Sequence, residues 1–226
     1  MTSERIGGIG SISCGEYDSI QIDGIGKLKG SIKANQISTS GMSRSKGKIE
    51  VSLLNINGIH KAKRTIKARE VAINGVLRLK KASLHADKIN CTGSLYCGHE
   101  LSADQISIQG LFNISHIYGD TVKLFHDKHT HLPIGRKSRL FCRLLFGFCI
   151  PDGASRADYV ECTELVASNT KFKTIHAGSV TLSQNCEVDK IYCDGPVTAD
   201  STCTIGKIIS SQSKGETTLV KVSSNE

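Results

Sequence analysis

The sequence is poor in aromatic residues and in proline. It contains no Trp and only 3 Pro, and aromatic residues make up 5% of its 226 residues. A core built from large rings is therefore excluded, and the hydrophobic fraction of 38% must come mostly from aliphatic side chains. That fraction is high enough to exclude a wholly disordered chain. With 22 Gly and many Ile and Val, the composition favours short strands and turns over helices.

Long apolar runs and paired cysteine motifs are also missing. No run of 18 apolar residues occurs, which excludes a membrane-spanning helix. The start of the chain, residues 1–8, lacks a basic segment followed by an apolar stretch, so we expect no secretory signal. The 9 Cys form no CxxC motif, and we expect them to be reduced thiols that act as small hydrophobic residues.

What the sequence does contain is a repeat of seventeen residues. Five glycines mark it, and two further glycines follow after eighteen and seventeen more residues: Gly7, Gly24, Gly41, Gly58, Gly75, Gly93 and Gly110. Apolar residues keep fixed places within the unit, such as Ile49, Leu54 and Ile56 after Gly41. Around these places apolar and polar residues alternate, which is the period of a β-strand.

Short strands at a fixed small period predict an all-β fold, a single-stranded parallel β-helix of about ten coils with roughly 17 residues each. Stacked columns of Ile, Val and Leu would account for the aliphatic core. The hexapeptide helix of acyltransferases is disfavoured, because its apolar residues recur every six positions. The sequence divides into coils at 1–125, an insertion at 126–153, coils again at 154–210, and a C-terminal tail or last strand at 211–226.

The repeat resembles that of the bactofilins, bacterial cytoskeletal proteins that form polymers. The resemblance is carried by the seventeen-residue coil, by the units that begin at Gly24 and Asn74, and by the segment from Tyr118 to Val122. It implies a right-handed solenoid that assembles end to end into filaments without nucleotide. It also implies a cytoplasmic location at the inner face of the cell membrane, and a role as a scaffold in cell shape, motility or envelope processes.

Positive charge is concentrated in the N-terminal half of the repeat. The fourth and sixth positions of four successive units are basic and form what we call the basic ladder: Lys27, Lys29, Arg44, Lys46, Lys61, Lys63, Arg78 and Lys80. If the coils stack in register, like charges lie side by side, which is unfavourable. A solvated face that discourages aggregation is one explanation. We favour an anionic partner: lipid headgroups first, acidic protein second and nucleic acid third.

The insertion combines apolar and basic residues. In helical spacing it would present one apolar face with basic flanks, suited to a membrane interface or a partner protein. A hairpin or loop packed on the solenoid is the alternative. The residues concerned are Arg136, Lys137, Arg139, Leu140, Phe141, Arg143, Leu144, Leu145 and Phe148.

The sequence offers little for catalysis or metal binding. The cluster His126, His129 and His131 lacks regular spacing and accompanying acidic residues, so we expect neither a metal nor a cofactor. No Ser/His/Asp or Cys/His arrangement stands out, and we expect a structural protein rather than an enzyme. The alternative function is that of a β-helix enzyme such as a hexapeptide-type acyltransferase, which would form a closed trimer.

Polymerisation is expected at the ends of the rod. An end coil exposes unpaired backbone groups and apolar columns, and a contact that does not close on itself gives filaments. Candidate contact residues are Ile9, Ile12, Leu219, Val220 and Val222. The predicted partners are therefore further copies of the chain, an anionic membrane surface and proteins assembled on the filament.

Overall fold

The computed structural model describes residues 2–126 and 155–210, together with the backbone of residues 221–223. In these ranges all regular structure is β, and parallel strands form a solenoid of about 11 turns that recur roughly every 17 residues. The predicted all-β parallel solenoid is confirmed, with about one turn more than the sequence suggested. No helix in these ranges is long and apolar enough to cross a membrane.

In the N-terminal turns a short strand alternates with a long one. Strand β1 spans Thr2–Ile6. The short strands are β2 (Ile9–Ile12), β4 (Ile25–Leu28), β6 (Met42–Ser45), β8 (Ile59–Ala62) and β10 (Val76–Leu79). The long strands are β3 (Gly15–Ile22), β5 (Ile32–Thr39), β7 (Ile49–Ile56), β9 (Ile66–Ile73) and β11 (Leu84–Cys91).

In the later turns the short and long strands merge, because the corner between them is itself extended. The merged strands are β12 (Ser94–Gln109), β13 (Leu111–Phe125), β14 (Ser155–Ser168) and β15 (Thr170–Ser183). The last described strands are shorter again: β16 (Glu187–Cys193), β17 (Val197–Asp200), β18 (Thr204–Ile209) and β19 (Lys221–Ser223).

Each turn has three faces. In β5 the side chains of Ile32, Ala34, Ile37 and Thr39 are buried, so the alternation shifts by one residue in the middle of the strand. The chain bends there, because two successive side chains point outward. We call the short strand the first face, the part of the long strand before the bend the second face, and the part after it the third face.

The core consists of aliphatic columns in register. Ile32 pairs with Ile49, and Ile49 pairs with Ile66, all on the second face. The neighbouring column runs from Ile37 through Leu54 to Val71. All these side chains are at most 2% exposed. This arrangement explains the shortage of aromatic residues, because successive turns are about 4.8 Å apart and branched aliphatic side chains pack well at that spacing.

The periodic glycines have a steric reason. They lie at the corner between the third and first faces, where successive turns approach closely. A Cβ atom on Gly58 would lie 2.0 Å from the carbonyl oxygen of Gly41, and one on Gly75 would lie 2.0 Å from that of Gly58. The sequence pattern suggested sharp turning, but close contact between stacked corners is what excludes a side chain here.

The insertion leaves and rejoins the solenoid at this same corner. His126 ends the described N-terminal part and Ser155 begins the next turn, with Ser155 Oγ 3.2 Å from His126 Nδ1. Both residues are buried. Ser155 Oγ also donates to the carbonyl of Gly110. His126, which the sequence placed at the start of the insertion, therefore belongs to the rod, and residues 127–154 lie outside the described residues.

Candidate binding face

The first face places half of the basic ladder in a straight column. Lys27 pairs with Arg44, Arg44 with Lys61, and Lys61 with Arg78, all in parallel register. We call these four residues the basic column. At a spacing of about 4.8 Å per turn, the column is roughly 14 Å long.

The other half of the ladder lies at the corner that follows the first face. The backbone N–H of Lys46 donates to Leu28, and that of Lys63 donates to Ser45, so these residues stack turn upon turn. All four side chains are exposed, and we call them the corner lysines: Lys29, Lys46, Lys63 and Lys80. They form a second basic row parallel to the first.

A column of apolar side chains runs beside the basic column, on the outside of the rod. In β4, Gly26 and Leu28 point inward, so Ile25 and Lys27 both point outward. Pairing in register extends this apolar column over five turns: Ile9, Ile25, Met42, Ile59 and Val76. Ile9 is 86% exposed and Ile25 42%, whereas the other three are half-buried.

Sequence reasoning missed the apolar column, although a signal was present. The apolar residue stands at the second position of the unit and the basic residue at the fourth. On a strand these positions share a face, so an outward basic residue requires the apolar residue two places earlier to face outward as well. The first face thus carries an apolar column with the basic column beside it, and the corner lysines follow on the same side.

The charges of the basic column affect one another. The pKa of Lys61 is lowered by partial burial and by the guanidinium groups of Arg78 and Arg44 above and below it. No acidic residue occurs in residues 25–31, 42–48, 59–65 or 76–83, which form these strands and their following corners. These segments therefore contribute positive charges and no negative charge to the surface.

The adjacent second face provides a contrast in turns that overlap those of the basic column. There the outward column runs Glu16, Lys33, Glu50 and Lys67, so the sign of the charge alternates from turn to turn. Lys33 Nζ lies 3.4 Å from Glu16 Oε1. Opposite charges in neighbouring strands stabilise a sheet, whereas like charges destabilise it. The solenoid accommodates alternating charges on the second face, so the fold itself does not require the uniformly positive charge of the basic column.

The predicted end-contact residues occupy different environments. Ile12 is 5% exposed and points into the core, while Ile9 belongs to the outer apolar column of the first face. Val222 in β19 pairs with Ala199 of β17. Leu219, Val220 and the insertion residues between Arg136 and Phe148 lie outside the described residues. Their predicted roles stay predictions.

A cluster of rings on the second face of the later turns was also missed. It contains His116, Tyr118, Tyr159, His176 and Tyr192, and the rings of His176 and Tyr192 stack with centroids 4.3 Å apart. Burial and the neighbouring Glu161 carboxylate, which accepts a hydrogen bond from the Tyr159 hydroxyl, raise the pKa of Tyr159 to about 12. The rings of His116 and Tyr118 and those of His176 and Tyr192 are stacked, whereas Tyr159 is tilted against its neighbours, which indicates stabilising ring contacts within and between turns.

Metal ligation finds no support within residues 2–126 and 155–210. No group of three or more His, Cys, Asp and Glu side chains comes together there. In the histidine cluster of the sequence, His126 Nδ1 lies 3.2 Å from Ser155 Oγ and 3.4 Å from the carbonyl oxygen of Gly110. His129 and His131 lie outside the described residues.

Compared with models of protein families, with curated protein sequences and with solved structures, the chain shows no significant match. Its function therefore has to follow from its own fold and surface.

Proposed function

We propose that this protein is a bactofilin-like structural scaffold. Rods of the solenoid assemble end to end into nucleotide-independent filaments and are held along an anionic surface by the first face. In this proposal the filament lies at the inner face of the cell membrane and organises other proteins along its length. The protein performs no catalysis of its own.

The observation that carries the proposal is the contrast between two neighbouring columns. The outward column of the second face alternates in sign from Glu16 to Lys67, while the basic column of the first face, which begins one turn later at Lys27, contains only Lys and Arg. A column of like charge costs stability. Such a cost is understandable where an anionic partner offsets the repulsion between these like charges, and a regular column matches a partner that is itself extended.

End-to-end assembly is supported by the parallel arrangement of strands. Every described pairing between strands is parallel and in register or nearly so. In such a solenoid the strand edge at one end is complementary to the edge at the other end, so a second copy continues the same hydrogen-bond pattern. A contact of this heterologous kind does not close and produces filaments.

Electron microscopy and light scattering of the purified chain without nucleotide test the proposal. We expect filaments that thicken little with concentration and that persist when nucleotide is added or removed. Monodisperse monomers across salt and protein concentration would overturn it. A stable closed trimer would favour the acyltransferase-like alternative instead.

A further inference from the structure

We propose that the first face is a docking site for an anionic lipid bilayer, with the apolar column at the boundary between headgroups and acyl chains. The rod then lies with its axis parallel to the membrane. This inference rests on the proposed function for the membrane as partner, and it adds the residues that meet the bilayer and the place of the apolar column in it.

Charge alone does not distinguish a bilayer from a nucleic acid or an acidic protein, but the apolar column does. Ile9 and Ile25 are the large hydrophobic side chains that stand exposed among the described residues. Both belong to a single column that continues through Met42, Ile59 and Val76. Phosphate backbones give such a column no binding partner, whereas the interfacial region of a bilayer takes up apolar side chains between charged headgroups.

The arrangement of the two chemistries fits a headgroup layer. Neighbouring outward positions on one strand are about 7 Å apart, so Ile25, Met42 and Ile59 each have a Lys or Arg of the basic column next to them, whereas Ile9 has Ser11. Lys and Arg chains are longer than Ile, Met or Val, and they extend their charges beyond the apolar stems. The flexible stems let these charged ends bend toward lipid phosphates or carboxylates, so that the stems and the apolar column face the boundary between headgroups and acyl chains.

The shape of the face also fits a planar partner. The columns are straight over four turns, because Lys27, Arg44 and Lys61 pair residue for residue without a bulge. Both the basic column and the apolar column run along the rod axis. Contact through this face therefore lays the rod flat, and each further copy in an end-to-end filament would add another strip of the same face.

Vesicle co-sedimentation of the full chain tests the site, with phosphatidylcholine vesicles that contain or lack phosphatidylglycerol. We expect binding only to the anionic vesicles, and it should weaken as NaCl rises. The K27Q/R44Q variant should lower binding about tenfold or more. The matched control K33Q/K67Q removes two lysines from the second face of the rod and should change binding less than about threefold.

A separate experiment tests the apolar column. Because the wild-type chain contains no Trp, an introduced Trp is the only source of Trp fluorescence. In the M42W variant the single Trp fluorescence should shift to the blue on anionic vesicles, and lipids brominated in the acyl chain should quench it. The Q36W variant carries its Trp at an exposed position of the third face and should show neither effect. An I25S/M42S variant should lose about tenfold in vesicle binding while circular dichroism shows unchanged strand content.

Several results would overturn the assignment. One is vesicle binding that persists in K27Q/R44Q and I25S/M42S but disappears in an F141E/L144E/F148E variant, which would place the contact in the insertion. Another is binding to DNA or polyglutamate that equals binding to vesicles and is insensitive to I25S/M42S. Filaments seen by microscopy in all these variants would show that scaffold assembly stands even where the membrane contact fails.

Discussion

Ser43 and His60 lie one above the other inside the solenoid, with Ser43 Oγ 2.6 Å from His60 Nδ1. They occupy the inward column of the first face, on the opposite side of the sheet from the apolar and basic columns. Ser45 Oγ lies 3.3 Å from His60 Nε2, so both ring nitrogens have a hydroxyl partner. His60 is fully buried, and a hydrogen-bonded neutral imidazole replaces an aliphatic residue here.

This buried histidine predicts a loss of stability in acid. Burial lowers the pKa of His60 from 6.5 to about 4. Above pH 6.5 the imidazole is neutral in both the folded and the unfolded state. Below pH 6.5 His60 becomes protonated in the unfolded chain, whereas the buried ring of the folded chain stays neutral down to about pH 4. The free energy of unfolding should therefore fall as the pH drops from about 6.5 to 4, by on the order of 3 kcal/mol from this group.

Urea unfolding of the wild type and of H60L at several pH values measures the effect. The difference between the two proteins isolates His60 from the other groups that titrate in acid. We expect the wild type to lose more stability than H60L over this range. Equal pH slopes for the two proteins would contradict the assignment of a neutral buried ring.

The stacked corner predicts a large difference between chemically identical substitutions. In G58A the new methyl group would meet the carbonyl oxygen of Gly41 at 2.0 Å, whereas nothing lies within 4 Å of a Cβ atom on Gly7. We expect G58A to destabilise the fold by about 2–3 kcal/mol and G7A to be nearly neutral. Thermal unfolding followed by circular dichroism compares the two, and equal melting temperatures would refute the close approach of the corners.

The cysteines should differ sharply in reactivity. Cys14 is exposed, whereas Cys91 and Cys186 are buried in the core. Burial raises the pKa of each of these two thiols to about 12. We expect iodoacetamide to label Cys14 rapidly in the native protein and to reach Cys91 and Cys186 only after unfolding. Peptide mapping by mass spectrometry distinguishes these sites, and rapid native labelling of Cys186 would show that the last turns open readily.

The stacking of the turns could be predicted from the sequence, because each unit repeats the residue pattern of the unit before it. Gly41, Ile49, Leu54 and Ile56 recur in the next unit as Gly58, Ile66, Val71 and Ile73, and the paired strands have this same register. The interval of seventeen residues therefore fixes which residues stack. The same interval predicts the basic column, whose members share one position of the unit: Lys27, Arg44, Lys61 and Arg78.

Other features depend on three-dimensional contacts that the period does not encode. A buried His60 looks in the sequence like one more polar residue beside Lys61; alternation on the strand turns it inward, but its hydrogen bonds to Ser43 and Ser45 emerge only from the stacked turns. In the ring stack His176 and Tyr192 are register partners, but Tyr159 contacts His176 diagonally, from two positions before the register partner of His176. The apolar column was hidden because an Ile or Val is ordinarily assigned to the core.

The two charged columns make a final prediction in which stability and binding change in opposite directions. Lys61 lies between Arg44 and Arg78, so K61E would place a carboxylate between two guanidinium groups. We expect this variant to be more stable than the wild type by about 0.5–1 kcal/mol at low salt, and the gain should shrink as ionic strength rises. Its binding to anionic vesicles should be weaker.

The reverse substitution on the second face is the control. Glu50 lies between Lys33 and Lys67, so E50K would place three lysines in successive turns of this column. It should destabilise the solenoid by a similar amount at low salt, with vesicle binding little changed because the added charge faces away from the first face. Urea unfolding at two ionic strengths measures both variants. If K61E were destabilising, the side chains of the basic column would not be close enough to repel, and the cost that points to an anionic partner would disappear.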